Sequence, residues 1–249
     1  MGHAKVIAGY VGREPYRIPP NGARDALRPT GNSDDPTCHI GLGLAAIGRP
    51  GYINLGRDED LGEERSVRTL HTRTHELLDA AYAQGVRYFD AARSYGRSEE
   101  FLADWLKKRT DVDDVVIGSK WGYTYTAGWT TDAEKHEVKD HSLVAYERQL
   151  AESGALLGDR LDLYQIHSVT PESPALTDKE LHARLAEAAR GGLTIGFSTS
   201  GPAQADAIRA ALAVEVDGEP CSVRFSRRTT PWRPPRAPRS PRPMTPGSR

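Results

Sequence analysis

Four polar residues in this chain have side chains that could together protonate a carbonyl group: Asp90, Tyr95, Lys120 and His167. A carbonyl accepts hydride only if its oxygen is protonated or strongly polarised as negative charge builds. A phenol is a slow acid at neutral pH, and a neighbouring ammonium lowers its pKa. A carboxylate would keep that ammonium charged and in place, and an imidazole could orient the carbonyl oxygen by a hydrogen bond.

Short apolar segments that predict β-strands lead into three of these residues. The segments are residues 87–89 before Asp90, 115–119 before Lys120 and 161–166 before His167. In a barrel of parallel strands, catalytic residues collect at the carboxyl ends of the strands. We therefore expect the four side chains to meet at one rim of such a barrel.

Amphipathic helices are predicted between the strands. Thr74 is a candidate N-cap of the first helix, because its hydroxyl can accept a hydrogen bond from a backbone N–H of the first turn. Gly85 is the predicted end of this helix, because glycine tolerates a left-handed conformation. Ser98 is a candidate N-cap of the second, which has Glu99 and Glu100 in its first turn, where acidic side chains suit the helix dipole. The other expected elements are helices at about 141–157, 179–190 and 203–213 and strands at 40–47 and 193–197.

This alternation predicts an α/β fold of the (β/α)8 TIM-barrel type. We expect the barrel to be incomplete, since a full one usually needs about 250 residues and only about five βα units are recognisable here. The long loop 121–140 carries four aromatic residues, which could line a substrate pocket or pack as a surface flap. They are Trp121, Tyr123, Tyr125 and Trp129.

Composition divides the chain into three parts: an irregular extension over residues 1–38, the partial barrel over 39–220, and an Arg/Pro-rich tail over 221–249. The tail holds eight arginines and seven prolines in 29 residues, so we expect neither strand nor helix in it and an exposed edge on the fifth strand. We interpret it as an out-of-frame translation that truncates the barrel at its C-terminal side. A basic tail that binds nucleic acid is the alternative.

Charge and cysteine content bound the function classes. Without the tail, the chain has 25 basic and 34 acidic side chains, a net charge of −9, which argues against a nucleic-acid-binding surface on the body. The two cysteines, Cys38 and Cys221, cannot form a disulfide framework, which favours a cytoplasmic location. We expect no membrane-spanning segment and no secretory leader.

A second motif, Gly41 to Ala46, matches the G-x-G-x-x-A pattern of dinucleotide-binding folds, and acidic residues follow at 58–60. A helix would have to open at that loop, but Pro50 and Gly51 would interrupt it. We expect these glycines to serve a first strand instead.

The segment Phe89 to Gly96, FDAARSYG, resembles the FD-x-A-x-x-YG motif of aldo-keto reductases, and Lys120 and His167 resemble the remaining two catalytic positions of that family. Residues 195–198 resemble the strand whose Ser–Asn pair holds the nicotinamide carboxamide, with Thr199 in the Asn place. The resemblance covers about residues 39–218.

The resemblance implies an NADPH-dependent reduction of an aldehyde or ketone, or its reverse, with NADH as a possible cofactor and no metal. Tyr95 would be the general acid, Lys120 its partner, Asp90 the anchor of Lys120, and His167 the group that orients the carbonyl. Ser198 and Thr199 would bind the cofactor. The implied partner is a small carbonyl compound, and the oligomeric state stays open. A catalytically inactive remnant or a nicotinamide-sensing regulatory protein is the alternative.

Overall fold

A computed structural model describes residues 41–51, 64–216, 219–220 and 224–226. The predicted extension over residues 1–38 and nearly all of the predicted tail lie outside the described residues, as do the acidic residues 58–60.

A parallel sheet of six strands forms the centre of the described chain. Its strand order is β1-β2-β3-β6-β7-β10, so the order of the strands across the sheet is the same as their order along the chain. The strands are β1 (Gly41–Gly43), β2 (Tyr88–Asp90), β3 (Val116–Trp121), β6 (Leu163–Val169), β7 (Thr194–Thr199) and β10 (Arg224–Ser226). This order is typical of (β/α) barrels and differs from that of a doubly wound dinucleotide-binding sheet.

Five helices connect these strands: α1 (Val67–Ala83), α2 (Ser98–Lys108), α3 (Leu143–Leu157), α4 (Lys179–Arg190) and α5 (Gln204–Leu212). Three begin at side-chain caps, because the side chains of Ser66, Ser142 and Asp178 accept hydrogen bonds from backbone N–H groups of the first turn. Gly85 has φ +88° just after α1, as predicted for its C-terminal end.

The two other predicted caps are wrong. Thr74 lies buried in the middle of α1, where its hydroxyl donates to the carbonyl of Leu70 at 2.7 Å. Ser98 is the first residue of α2, and its hydroxyl donates to the carbonyl of Ala92 at 3.2 Å. Both hydroxyls bond a backbone carbonyl rather than a first-turn N–H, an ambiguity that residue type alone does not resolve.

The two faces of the sheet differ in chemistry because side chains alternate along each strand. Outward-facing residues pack against the helices in two apolar cores. The core beside α1 and α2 contains Leu42, Phe89 and Ile117, and the core beside α4 and α5 contains Tyr164, Ile195 and Phe197. The opposite, inner face carries the glycines Gly41 and Gly118 and the polar residues Tyr88, Asp90 and Lys120.

Two regions differ from the sequence-based expectation. The predicted loop 121–140 contains an antiparallel hairpin of β4 (Tyr123–Tyr125) and β5 (Glu137–Lys139). The expectation of no strand beyond residue 221 is wrong, because β10 pairs in parallel with β7, with Arg224 opposite Gly196. The fifth strand is therefore not the edge of the sheet. A second hairpin joins β8 (Glu215–Val216) to β9 (Glu219–Pro220).

The glycines of the G-x-G-x-x-A motif lie in β1, and a turn rather than a helix follows them over residues 45–47. The dinucleotide-binding interpretation of this motif is therefore wrong, as the interrupting Pro50 suggested. Among the described residues, no helix combines the length and apolarity that a bilayer span requires.

Candidate active site

The structure brings the four predicted catalytic residues together at the carboxyl ends of neighbouring strands. Asp90 ends β2, Lys120 lies near the end of β3, and His167 lies near the end of β6. The loop that carries Tyr95 is attached to β3 by two backbone hydrogen bonds, from Ala91 N to Gly118 O at 2.8 Å and from Arg93 N to Lys120 O at 2.9 Å. The end of β3 therefore fixes where this loop begins.

Two glycines allow the Tyr95 loop to pack closely on the turn after β1. A Cβ atom on Gly48 would lie 2.3 Å from the backbone oxygen of Tyr95, and Gly96 has φ +62° with its ideal Cβ 2.4 Å from Gly48 O. Arg97 N donates to Gly48 O at 2.7 Å. Only glycine fits this close approach of two backbone segments, so the turn after β1 packs directly against the backbone of Tyr95.

Lys120 is the centre of the site. Its Nζ donates to Asp90 Oδ2 in a close ion pair and to the carbonyl of Ala91 at 3.0 Å. The ammonium lies 5.0 Å from the centroid of the Tyr95 ring, and Tyr95 Oη lies 3.5 Å from His167 Nε2. The four side chains thus form a continuous chain of contacts from Asp90 through Lys120 and Tyr95 to His167.

Burial and charge act in opposite directions on Lys120. Its side chain is only 6% exposed, and this desolvation would lower the pKa of the ammonium. The Asp90 carboxylate, followed by Tyr95, outweighs that effect, and the net pKa of Lys120 is raised above its ordinary value. Lys120 is therefore a fixed positive charge beside the Tyr95 phenol at neutral pH.

Arg49 is a buried cation at this site that the sequence analysis missed. Its Nη1 donates to the carbonyl of Ser94 and to Glu137 Oε2, both at 3.0 Å. Its guanidinium carbon lies 5.8 Å from the centroid of the Tyr95 ring. Arg49 thus joins the turn after β1, the Tyr95 loop and strand β5 of the hairpin. No sequence pattern marks this role, because the three segments are far apart along the chain.

The hairpin also contacts His167. The Tyr123 ring lies 5.1 Å from the His167 ring, centroid to centroid, and is half-buried. Two other aromatic residues of the loop 121–140, predicted to be either a pocket lining or a surface flap, pack away from His167: Trp121 belongs to the outer apolar core, and Trp129 packs 6.2 Å from Phe101. Tyr123 is thus an aromatic side chain of this loop that borders a predicted catalytic residue.

Strand β6 is irregular directly after His167. The register with β7 shifts between Ile166 and Val169, and Ser168 has φ +58°, a conformation that side chains other than glycine rarely adopt. Ser168 N donates to Ser198 Oγ at 2.9 Å, and Ser168 O accepts from Lys139 Nζ at 2.8 Å. A bulge of this kind re-aims the side chains beside it, and here the neighbouring side chain is His167.

The two predicted cofactor residues face opposite sides of β7. Ser198 lies at the catalytic end on the inner face, where its hydroxyl accepts from Ser168. Thr199 is fully buried on the helix side, and its Oγ1 donates to Gln204 Oε1 at 3.0 Å. The cofactor role of either residue stays a prediction, and the geometry favours Ser198.

Glu99, predicted only as a helix-dipole residue, is a buried carboxylate. It is 2% exposed and forms an ion pair with Arg93, which also binds Glu152 at 2.7 Å. Ser119 and Ser153 donate to Glu99 Oε1 at 2.5 and 2.7 Å. This network fastens the Tyr95 loop and α2 to β3 and α3.

The sequence model of the aldo/keto reductase family matches residues 40–222. The chain belongs to this family of oxidoreductases. The match and the alternating strands and helices confirm the predicted fold class, and in the described residues the sheet is an open part of such a barrel. Within those residues, no cluster of three or more His, Cys, Asp or Glu side chains is arranged to hold a metal ion.

Several characterised and solved proteins resemble the chain. It is 31% identical over 134 residues to the aldo-keto reductase str7 of Strobilurus tenacellus, covering 53% of this chain and 33% of that one. It is 28% identical over 97 residues to the aryl-alcohol dehydrogenase [NADP(+)] of Phanerodontia chrysosporium, covering 37% and 25%.

Among solved structures, a protein of Pseudomonas aeruginosa described as an aldo-keto reductase is 28% identical, with a TM-score of 0.48 over 64% of this chain and 54% of that one. The match with the two curated relatives, str7 and the aryl-alcohol dehydrogenase, spans about a third or less of the length of each relative.

Proposed function

We propose that the protein is an NADPH-dependent reductase of aldehydes or ketones, or catalyses the reverse oxidation of an alcohol. The observation that carries this proposal is the position of the Tyr95 hydroxyl, which lies between the Lys120 ammonium and the His167 imidazole. The proposed partner is a small carbonyl compound, in keeping with the family, and the proposed location is the cytoplasm.

Each side chain has a distinct role in this proposal. Tyr95 donates its proton to the carbonyl oxygen as that oxygen gains negative charge. The Lys120 ammonium stabilises the phenolate that remains, and Asp90 holds the ammonium in place. His167 orients the carbonyl oxygen through Nε2. Ser94 supports this role, because its Oγ lies 3.4 Å from His167 Nδ1, and a proton donated to Nδ1 leaves the proton of the neutral ring on Nε2.

The nicotinamide cofactor supplies the hydride when it is bound. Ser198 fits a role in holding it, because its hydroxyl lies at the catalytic end of β7 and accepts from Ser168 while its own proton can still be donated. Thr199 fits less well through its side chain, since its hydroxyl already donates to Gln204. We propose NADPH as the cofactor because the related aryl-alcohol dehydrogenase carries NADP(+) in its name, and NADH is the alternative.

The test is the substitution Tyr95→Phe, with Tyr82→Phe as the matched control. Tyr82 also donates its hydroxyl to a carboxylate, Asp114, at 2.9 Å, but lies on α1 away from the site. Oxidation of NADPH is followed at 340 nm with a panel of aldehydes, and NADPH binding by fluorescence. We expect Tyr95→Phe to lower kcat by roughly 10²–10⁴-fold, with cofactor binding unchanged, and Tyr82→Phe to leave both unchanged.

Two results would contradict the assignment. Full turnover by Tyr95→Phe would show that Tyr95 is not the general acid. NADPH binding by the unsubstituted protein without turnover of any aldehyde would instead support the nicotinamide-sensing alternative.

A further inference from the structure

We infer that Tyr88 is a positioning residue, which holds the Asp90 carboxylate so that Lys120 stays fixed beside Tyr95. Tyr88 Oη donates to Asp90 Oδ1 at 3.1 Å, while Lys120 Nζ binds the other carboxylate oxygen, Oδ2. Each oxygen of Asp90 therefore has its own donor. This inference rests on the proposed function, because it names a further residue of the same site.

The backbone places Tyr88 on the correct side of the sheet. Tyr88 and Asp90 are two residues apart in β2, so both side chains point to the inner face, whereas Phe89 points out to the apolar core. Strand side chains lean along the strand direction. The Tyr88 ring can therefore rise beside Asp90 towards the catalytic rim.

Glycines in both neighbouring strands make room for the Tyr88 ring. An ideal Cβ atom on Gly41 of β1 would lie 2.4 Å from Tyr88 Cδ1, and one on Gly118 of β3 would lie 2.4 Å from Tyr88 Oη. Real Cβ atoms do not approach other atoms this closely. The ring thus lies in a slot between β1 and β3 that any larger side chain would close, and the slot fixes where the hydroxyl ends.

The hydroxyl remains a donor throughout the working pH range. Burial raises the pKa of Tyr88 well above its ordinary value, and the neighbouring Asp90 carboxylate raises it further. Tyr88 is therefore a neutral phenol that can donate a hydrogen bond to Asp90. The two tyrosines of the site have different roles in this proposal: Tyr95 gives up its proton to the substrate, and Tyr88 keeps its proton and donates it in a hydrogen bond to Asp90.

Removing the Tyr88 hydroxyl should act through Asp90. Without this donor, Oδ1 loses its fixed partner, and the carboxylate can turn about its broad terminal torsion. Lys120 keeps the Asp90 carboxylate and the Ala91 carbonyl as acceptors, but a carboxylate that can turn no longer holds the ammonium in one position relative to the Tyr95 phenol. We expect kcat to fall roughly ten- to hundredfold, the size of effect that small misplacements of catalytic groups produce.

The experiment compares Tyr88→Phe with the control Tyr82→Phe, which removes an equivalent hydroxyl-to-carboxylate hydrogen bond away from the site. Two quantities are measured: kcat for aldehyde reduction, and the ¹⁵Nζ–¹H signal of Lys120 in lysine-labelled protein, which is visible only while the ammonium is held and shielded from exchange with water. Melting temperatures check that each variant folds. Gly118→Ala is a second variant, because its added Cβ would displace Tyr88 Oη directly.

A double-mutant cycle separates positioning from general packing. If Tyr88 acts through Asp90, the loss of kcat caused by Tyr88→Phe should disappear in an Asp90→Asn background. We expect Tyr88→Phe and Gly118→Ala to lower kcat and to broaden the Lys120 signal, with Tyr82→Phe unchanged in both.

A Lys120 signal that stays as sharp in both variants as in the unsubstituted protein would overturn the inference. If the unsubstituted protein turns over no aldehyde, the proposed function fails. The Lys120 signal still decides the role of Tyr88 in that case.

Discussion

His141 should make the folded state sensitive to acid, because the structure holds its ring neutral. His141 Nε2 lies 2.9 Å from the backbone carbonyl of His167, so Nε2 carries the proton. The side chain is buried, and its Nδ1 has no hydrogen-bond partner among the described residues. Protonation would therefore place a charge and an unpaired N–H group between the rings of Trp121 and Tyr123.

The magnitude follows from the shifted pKa. Burial, assisted by the nearby Lys139, lowers the pKa of His141 from 6.5 to about 4, against the opposing effect of the His167 carbonyl. The unfolded chain binds the proton more readily, so His141 costs no stability above pH 6.5 and destabilises the fold as the pH falls from 6.5 towards 4. One pKa unit corresponds to about 1.4 kcal/mol, which gives a loss of about 2 kcal/mol at pH 5 and about 3 kcal/mol below pH 4.

The assay is denaturant unfolding of the unsubstituted protein and of His141→Gln at several pH values between 4 and 8. Glutamine retains an N–H donor for the His167 carbonyl and does not titrate. The difference in unfolding free energy between the two proteins should change by about 2 kcal/mol from pH 7 to pH 5, with His141→Gln gaining relative stability in acid. His182→Gln, which replaces another buried histidine, should keep the acid sensitivity. A difference that stays constant over this range would refute the reasoning.

Two further predictions concern stability. Glu99→Ala should lower the unfolding free energy by about 3 kcal/mol, because it removes a buried ion-pair partner and the acceptor of the Ser119 and Ser153 hydroxyls. The control Glu100→Ala breaks an exposed pair with Arg97 at 3.5 Å and should change the unfolding free energy by less than about 1 kcal/mol. Equal effects of the two variants in urea unfolding would contradict the role of the buried network. Gly154→Ala should stabilise the protein by about 0.5–1 kcal/mol, because Gly154 lies within α3 and an added Cβ would meet no atom within 4 Å; a lower melting temperature would contradict this.

The placement of three of the four predicted catalytic residues could be predicted from the strand pattern. Asp90, Lys120 and His167 end apolar segments, and the ends of adjacent parallel strands must meet at one edge of a sheet. The helices over 98–108 and 179–190 could be predicted for a similar reason, since their apolar spacing and terminal charges are contained within each segment. Such features need no knowledge of what the segment packs against.

The residues that support the predicted catalytic residues could not be found in this way. Arg49 contacts Ser94 and Glu137, which lie 45 and 88 residues away along the chain, and no spacing rule connects such positions. Tyr88 has the residue type of an ordinary strand tyrosine. Its role depends on Gly41 and Gly118 in the neighbouring strands, and therefore on a register that the sequence does not state.

Ser198 shows why a motif match gives an incomplete account of a side chain. The motif predicts a cofactor contact for Ser198, yet the structure also gives its hydroxyl a task within the protein, as the acceptor for the N–H of Ser168. That N–H needs an acceptor because Ser168 has a positive φ at the bulge in β6, where the regular ladder with β7 is interrupted. Since His167 directly precedes the bulge, any cofactor group that bonds Ser198 would also act on the segment that aims the imidazole at Tyr95.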